Sequence, residues 1–132
     1  GECVYNKYWT ECAYDVETLA ELEDKTILCA GTILGSSKAV LDILIKIKNE
    51  LDLLKQRNYN NYRYVNVDQA ILNKIVYIDN YPVTLHNNGD IVGTVGQTLT
   101  QDNILINGNI PAVIHQYDRH QTLIDFVANL YK

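Results

Sequence analysis

Apolar residues recur along this chain with two different periods. The clearest is helical. Val40, Ile43, Leu44, Ile47, Leu51 and Leu54 return at three- and four-residue steps, which predicts a long amphipathic helix ending near Lys55. Ser36 and Ser37 precede it as caps. Asp15–Glu23 repeats the pattern on a smaller scale. Val16, Leu19 and Leu22 share a face there, and acids sit at the start, where a helix dipole favours them. Asp68–Tyr77 predicts another helix, with Asp68 as cap and Ile71, Leu72, Ile75 and Val76 as its apolar face. Gln121–Tyr131 closes the chain as a last helix, carrying Leu123, Phe126, Val127 and Leu130 on one side.

Shorter apolar runs predict strands at Lys25–Ala30, Val83–His86, Asp90–Val95, Asn103–Ile106 and Pro111–Ile114. Asn88-Gly89 and Asn107-Gly108 are turn signals, the second joining Asn103–Ile106 to the following apolar run as a hairpin. Gly1–Tyr14, with Tyr5, Tyr8, Trp9 and Tyr14, reads as an aromatic, irregular start, and Arg57–Tyr64 as a polar, aromatic loop. The order is strand–helix–helix, a strand-rich subregion over 82–115, then a helix. It predicts an α/β fold, with α+β as the alternative, over 1–132 as a single or partial domain. Strands are few for a self-sufficient doubly wound sheet. The chain starts at Gly1 and contains no methionine, which predicts a processed or excised segment of something longer.

Composition narrows the function classes. The formal net charge of −5 argues against a general nucleic-acid or anionic-membrane binder, which needs a basic face. Basic residues between Lys38 and Arg63 are mixed with acids and read as a solvated helix face. No apolar run approaches the ~18–20 residues of a membrane span. With no signal peptide at the amino end, the cytoplasm is the expected compartment. Three cysteines, Cys3, Cys12 and Cys29, lack zinc-ligand spacing. Cys3 and Cys12 are free to pair in an oxidising compartment, and Cys29 reads as a small buried hydrophobe.

Three motifs hold the chemistry. Ile110–His120 (IPAVIHQYDRH) sets His115, Asp118, Arg119 and His120 behind an apolar strand, and ligand crevices of open α/β sheets form outside such strand ends. An imidazole ligates metal or moves protons near pH 7, and a guanidinium clamps phosphate with two prongs. The plainer reading is an Asp118–Arg119 salt bridge with His120 capping the last helix. Val67-Asp68-Gln69 opens a helix, where an acid and an amide reach a polyhydroxylated ligand or simply cap. Cys29-Ala-Gly-Thr-Ile-Leu-Gly35 joins strand to helix through small residues that let a ligand approach the backbone, but it lacks the Gly-Lys-Ser/Thr ending of a P-loop.

In combination, CAGTILGS, a long helix, VDQAILN, a strand-rich insert and PAVIHQYDRH resemble the carboxy-terminal half of GT-A-type nucleotide-sugar glycosyltransferases. More closely, the chain is similar to a group of glycosyltransferase-like proteins ending in HQYDRH, and GECVYNKYWTECAY is similar to that group's connecting segment. The resemblance implies a mixed sheet with flanking helices and a small β-hairpin unit. It implies that Ala30, Gly31 and Thr32 line the donor-sugar pocket and that Asp68 and Gln69 contact sugar hydroxyls. It further implies that His115 ligates a divalent metal or touches the diphosphate. Arg119 is inferred to help hold the diphosphate. Mn²⁺ or Mg²⁺ is the implied cofactor, a nucleotide-sugar donor and a carbohydrate or protein acceptor the implied ligands. The chain departs from the pattern because it contains no Asp-x-Asp, and no nucleotide-binding βαβ half precedes Gly1. It is therefore expected to be inactive alone, either a part that joins a missing amino-terminal half or a remnant. The rival expectation is a non-catalytic carbohydrate-binding or assembly module using the Trp9 region or Tyr59–Tyr64 as a stacking platform. A hydrolase or deaminase lacks a nucleophile or a complete zinc set.

Overall fold

The structure, a computed structural model, describes residues 4–57, 67–95, 106, 108–130 and 132. The chain divides into two compact units, with the boundary between Val83 and Thr84. Taken together, the described elements are mostly helices with one small parallel sheet, which fits α/β or α+β. No helix among the described residues is long and apolar enough to cross a membrane.

The first unit is helical, with α1 (Val4–Ala13), α2 (Val16–Leu22), α3 (Ser37–Arg57) and α4 (Val67–Tyr77). Two starts follow from capping chemistry. Asp15 is extended and its carboxylate accepts the Thr18 N–H at 2.7 Å. Ser36 Oγ accepts the Ala39 N–H at 3.3 Å before α3. α4 lies at the centre and buries residues on several sides. One core joins Ala13, Leu54, Val67, Ala70, Ile71 and Ile75, with Trp9 and Tyr14 packed against it. A second joins Ile43, Leu72 and Val76, and takes Leu28, Ala30 and Ile33 from the segment before α3.

Several expectations are corrected here. The aromatic start is not irregular, because 4–13 is an α-helix. Trp9 and Ala13, four residues apart, face the core, while Tyr5 and Tyr8 point to solvent, so aromatics on both sides hid the period. Lys25–Ala30 is not a strand. Within it, the peptide groups of Leu28 and the Thr26 carbonyl bond to side chains of α4. Asp68 is not the cap of α4, since the helix has already begun at Val67. Arg57 belongs to α3, and 58–66 lie outside the described residues.

The second unit holds β1 (Val92–Thr94) and β2 (Val113–His115), which run parallel in the register Val92↔Val113, Gly93↔Ile114 and Thr94↔His115. Val83–His86 is not a strand. A tight turn at Asn88–Asp90 leads into β1. Gly89 there has φ +100°, and a Cβ would lie 2.6 Å from the Ile106 carbonyl oxygen. Gly93 is equally constrained, since a Cβ would meet Ile106 Cδ1 at 2.2 Å. Ile106 and Asn109, on either side of the expected turn, exchange both backbone hydrogen bonds at 2.8 and 3.0 Å, and Asn107 lies outside the described residues. Residues 103–105, the rest of the expected hairpin strand, lie outside the described residues. The chain bends at Ala112, and β2 then pairs with β1. A short 3₁₀ turn (Tyr117–Arg119) and α5 (Gln121–Leu130) complete the unit.

Candidate functional site

The histidine motif sits at the carboxyl end of β2. His115 is the last strand residue and is half-buried, and its carbonyl accepts the Val95 N–H at 3.1 Å. Gln116 follows at φ +65°, a left-handed conformation uncommon for a residue with a Cβ. That reversal turns the chain into the 3₁₀ segment, whose Asp118 and Arg119 are exposed. His120 returns to an extended conformation, and its carbonyl accepts the N–H groups of Leu123 at 3.0 Å and Ile124 at 3.1 Å, which starts α5. The His120 backbone, not its side chain, supplies that cap. Its Nε2 is a buried atom with no hydrogen-bond partner among the described residues. Among the described residues Asp118 and Arg119 make no ion pair, so the plainer salt-bridge reading fails.

The other motif residues belong to the first unit. Asp68 is exposed in the first turn of α4. Gln69 is half-buried and its Nε2 donates to Asn6 Oδ1 on α1. Ala30 packs against the Ile43–Leu72–Val76 core, Gly31 is exposed and Thr32 is half-buried. Asp68 and Gln69 share a helix turn, Ala30, Gly31 and Thr32 share a loop, and His115 and Arg119 share the strand end of the second unit.

Asn73, which sequence reasoning passed over, organises the first unit. It is buried, and its Oδ1 accepts the Leu28 N–H at 2.9 Å. Its Nδ2 donates to Leu28 O at 3.1 Å and to Gln69 O at 2.7 Å. Tyr77 adds a bond from its hydroxyl to Thr26 O at 2.6 Å. The signal was a polar residue set between Leu72 and Ile75 in the apolar stretch of α4. A cleft beside it, bordered by Asn6, Lys7, Thr10, Glu23, Lys25 and Asn73, has a free volume of about 30 Å³. That is room for ordered water, well short of the ~300–1,000 Å³ of a small-molecule pocket. The Lys7–Glu23 ion pair at 2.7 Å borders it, and the bond from Lys7 holds the Glu23 carboxyl below its usual range.

A second polar group ties three helices. Lys74 Nζ donates to Glu50 Oε1 at 2.9 Å and to Asp79 Oδ2 at 3.0 Å, and Tyr14 donates to Glu50 Oε2 at 3.3 Å. Burial pushes Lys74 toward its neutral form, but the two carboxylates outweigh it and its pKa is raised. Burial, followed by the charge of Glu50, pushes the Tyr14 phenol well above its ordinary range.

Among the described residues no group of three or more His, Cys, Asp or Glu side chains is placed to hold a metal ion. His115 therefore belongs to no such group there, and the described residues do not assemble the several oxygen ligands that Mn²⁺ or Mg²⁺ takes. Comparison with family models, curated proteins and solved structures finds no match to this chain.

Proposed function

We propose that this chain is the carboxy-terminal portion of a GT-A-like glycosyltransferase that moves a sugar from a nucleotide-sugar donor to a carbohydrate or protein acceptor. The observation that carries the reading is the position of HQYDRH. It leaves a parallel strand at its carboxyl end, where open α/β sheets take their ligands, and passes at once through a left-handed residue, a tight turn and a helix start. Transfer breaks the bond between the anomeric carbon and the diphosphate and forms one to an acceptor hydroxyl. The leaving nucleoside diphosphate gathers negative charge, which the exposed Arg119 guanidinium suits in a two-pronged contact. His115 is assigned to the same diphosphate, Asp68 and Gln69 to sugar or acceptor hydroxyls, and Ala30, Gly31 and Thr32 to the donor-sugar wall. These assignments rest on motif order. No step is routed through a cation, because the described side chains do not assemble a site for one. Because the sequence contains no Asp-x-Asp, the chain is proposed to be inactive by itself.

The test is a transfer assay on the native protein from its source cells, with a panel of nucleotide sugars. His115→Ala and Arg119→Ala are each expected to lower transfer by about 10²-fold or more while leaving thermal stability near wild type. Wild-type rates in both variants would sink the assignment.

One observation favours a second reading, a non-catalytic carbohydrate-binding or assembly module. Tyr5 and Tyr8 are 65% and 61% exposed on α1, and the Tyr5 ring lies 6.1 Å from that of Trp9, tilted by 30°. Rings so presented stack on sugar faces. Leu41, Leu44 and Ile45 on α3 are exposed as well. On this reading, saturable sugar binding occurs without nucleotide and is lost in a Tyr5→Ala/Tyr8→Ala double variant. Binding unchanged in that variant would remove the α1 platform from consideration.

A further inference from the structure

The turn before β1 has two residues whose identities the geometry fixes. Asn88 Oδ1 accepts the Thr94 N–H at 2.7 Å, and Asn88 Nδ2 donates to Thr94 O at 3.0 Å. Only a primary amide meets both demands, and it occupies the outer edge of β1 as a neighbouring strand would. Gly89 has φ +100°, donates its N–H to Val92 O at 2.9 Å, and has no room for a Cβ beside Ile106. The fold thus requires asparagine followed by glycine. That dipeptide is chemically labile, because a glycine nitrogen, unhindered by a side chain, attacks the preceding side-chain amide.

We propose that Asn88 is a spontaneous deamidation site whose rate is set by opening of the Asn88–Thr94 clamp. In the step, Gly89 N gives up its proton to solvent base and bonds to Asn88 Cγ. The Cγ–Nδ2 bond breaks, and Nδ2 takes up a proton and leaves as ammonia. Water then opens the five-membered imide to aspartate or isoaspartate, and nothing is oxidised or reduced. The closed turn blocks this twice. The Gly89 N–H is shared with the Val92 carbonyl, and the Asn88 amide is held at both ends by a residue six positions on. Reaction therefore runs through the open fraction. The product does not close again in the same way. An aspartate still accepts the Thr94 N–H, but it places a carboxylate oxygen where Nδ2 stood, 3.0 Å from the Thr94 carbonyl. An isoaspartate lengthens the backbone by one carbon and loses the turn. Deamidation thereby uncovers the edge of β1 irreversibly.

The test follows position 88 by peptide mapping with separation of the aspartate and isoaspartate forms. The full chain is held at mildly alkaline pH, native and in concentrated urea. Conversion at Asn88 is expected at least about tenfold slower in the native protein, since only the open fraction reacts. Equal rates in the two conditions overturn the proposal. As a second measurement, Asn88→Asp introduces the product directly. It is expected to lower the melting temperature and to speed hydrogen exchange at the Thr94 amide. A variant indistinguishable from wild type in both readouts overturns the clamp.

Discussion

Asn73 stands where a neighbouring strand would stand. Its side chain satisfies the N–H and C=O of Leu28 and one carbonyl of its own helix, so the segment before α3 is held without a sheet. Removing it strands buried donors and acceptors, which is more costly than losing the bonds alone. Asn73→Ala is expected to destabilise the first unit by about 2–4 kcal/mol, measured by urea unfolding. A loss within about 0.5 kcal/mol, the range of an ordinary surface change, would show that the contact is not structural. Gln69 is engaged in the same way through Asn6, so its amide is part of the α1–α4 contact as well as a proposed sugar ligand. Residue identity was easy to read here, but partnership was not. A buried asparagine and a solvent-facing one look alike until the backbone opposite is known.

At the scale of elements, Tyr14, Glu50, Lys74 and Asp79 join the end of α1, α3, α4 and the turn after it. Two groups in this set titrate in alkali. The folded Tyr14 phenol resists ionisation, so its contribution is fully present below the ordinary value of 10.0 and is lost as pH rises above it. Lys74 has its folded pKa raised above 10.5, so its contribution is present below that value and is also lost as pH climbs through the folded value. Tyr77, raised by burial, and Tyr81, raised by its bond to Asp42, act in the same direction. Unfolding free energy should stay level from neutral pH to about 10 and then fall. Tyr14→Phe should fall less steeply, and an unchanged alkaline limb in that variant would remove Tyr14 from the account. The helices most legible in sequence, α2 and α3, have apolar residues at helical spacing and identifiable caps. α1 was hidden by tyrosines on its exposed side. Lys25–Ala30 misled for the opposite reason. Its apolar run is half-buried, but against helices, and an apolar run alone does not say whether the neighbour is a strand.

For the whole molecule, two kinds of information separate. That histidine, arginine and acid stand together in HQYDRH was legible, because it needs no folding to be noticed. That the motif begins on a paired strand was not, because pairing between Val92–Thr94 and Val113–His115 joins stretches well apart in sequence with no local signature. The parallel register also explains Gly93. Its partner is Ile114, but the space a side chain would need is filled by Ile106 and Pro111 from the connection between the strands. A connection that presses on its own strand leaves little tolerance at that position.

The contact between Asn6 and Gln69 spans 63 residues, and that separation has a consequence during synthesis. Ribosomes add ~5–20 residues per second, so α1 emerges about 3–13 s before the helix it packs against. For that interval the nascent chain presents Trp9 and Ala13 with no α4 to cover them. Within the first unit, α1 is thus the helix that a ribosome-bound chaperone would have to cover until α4 arrives.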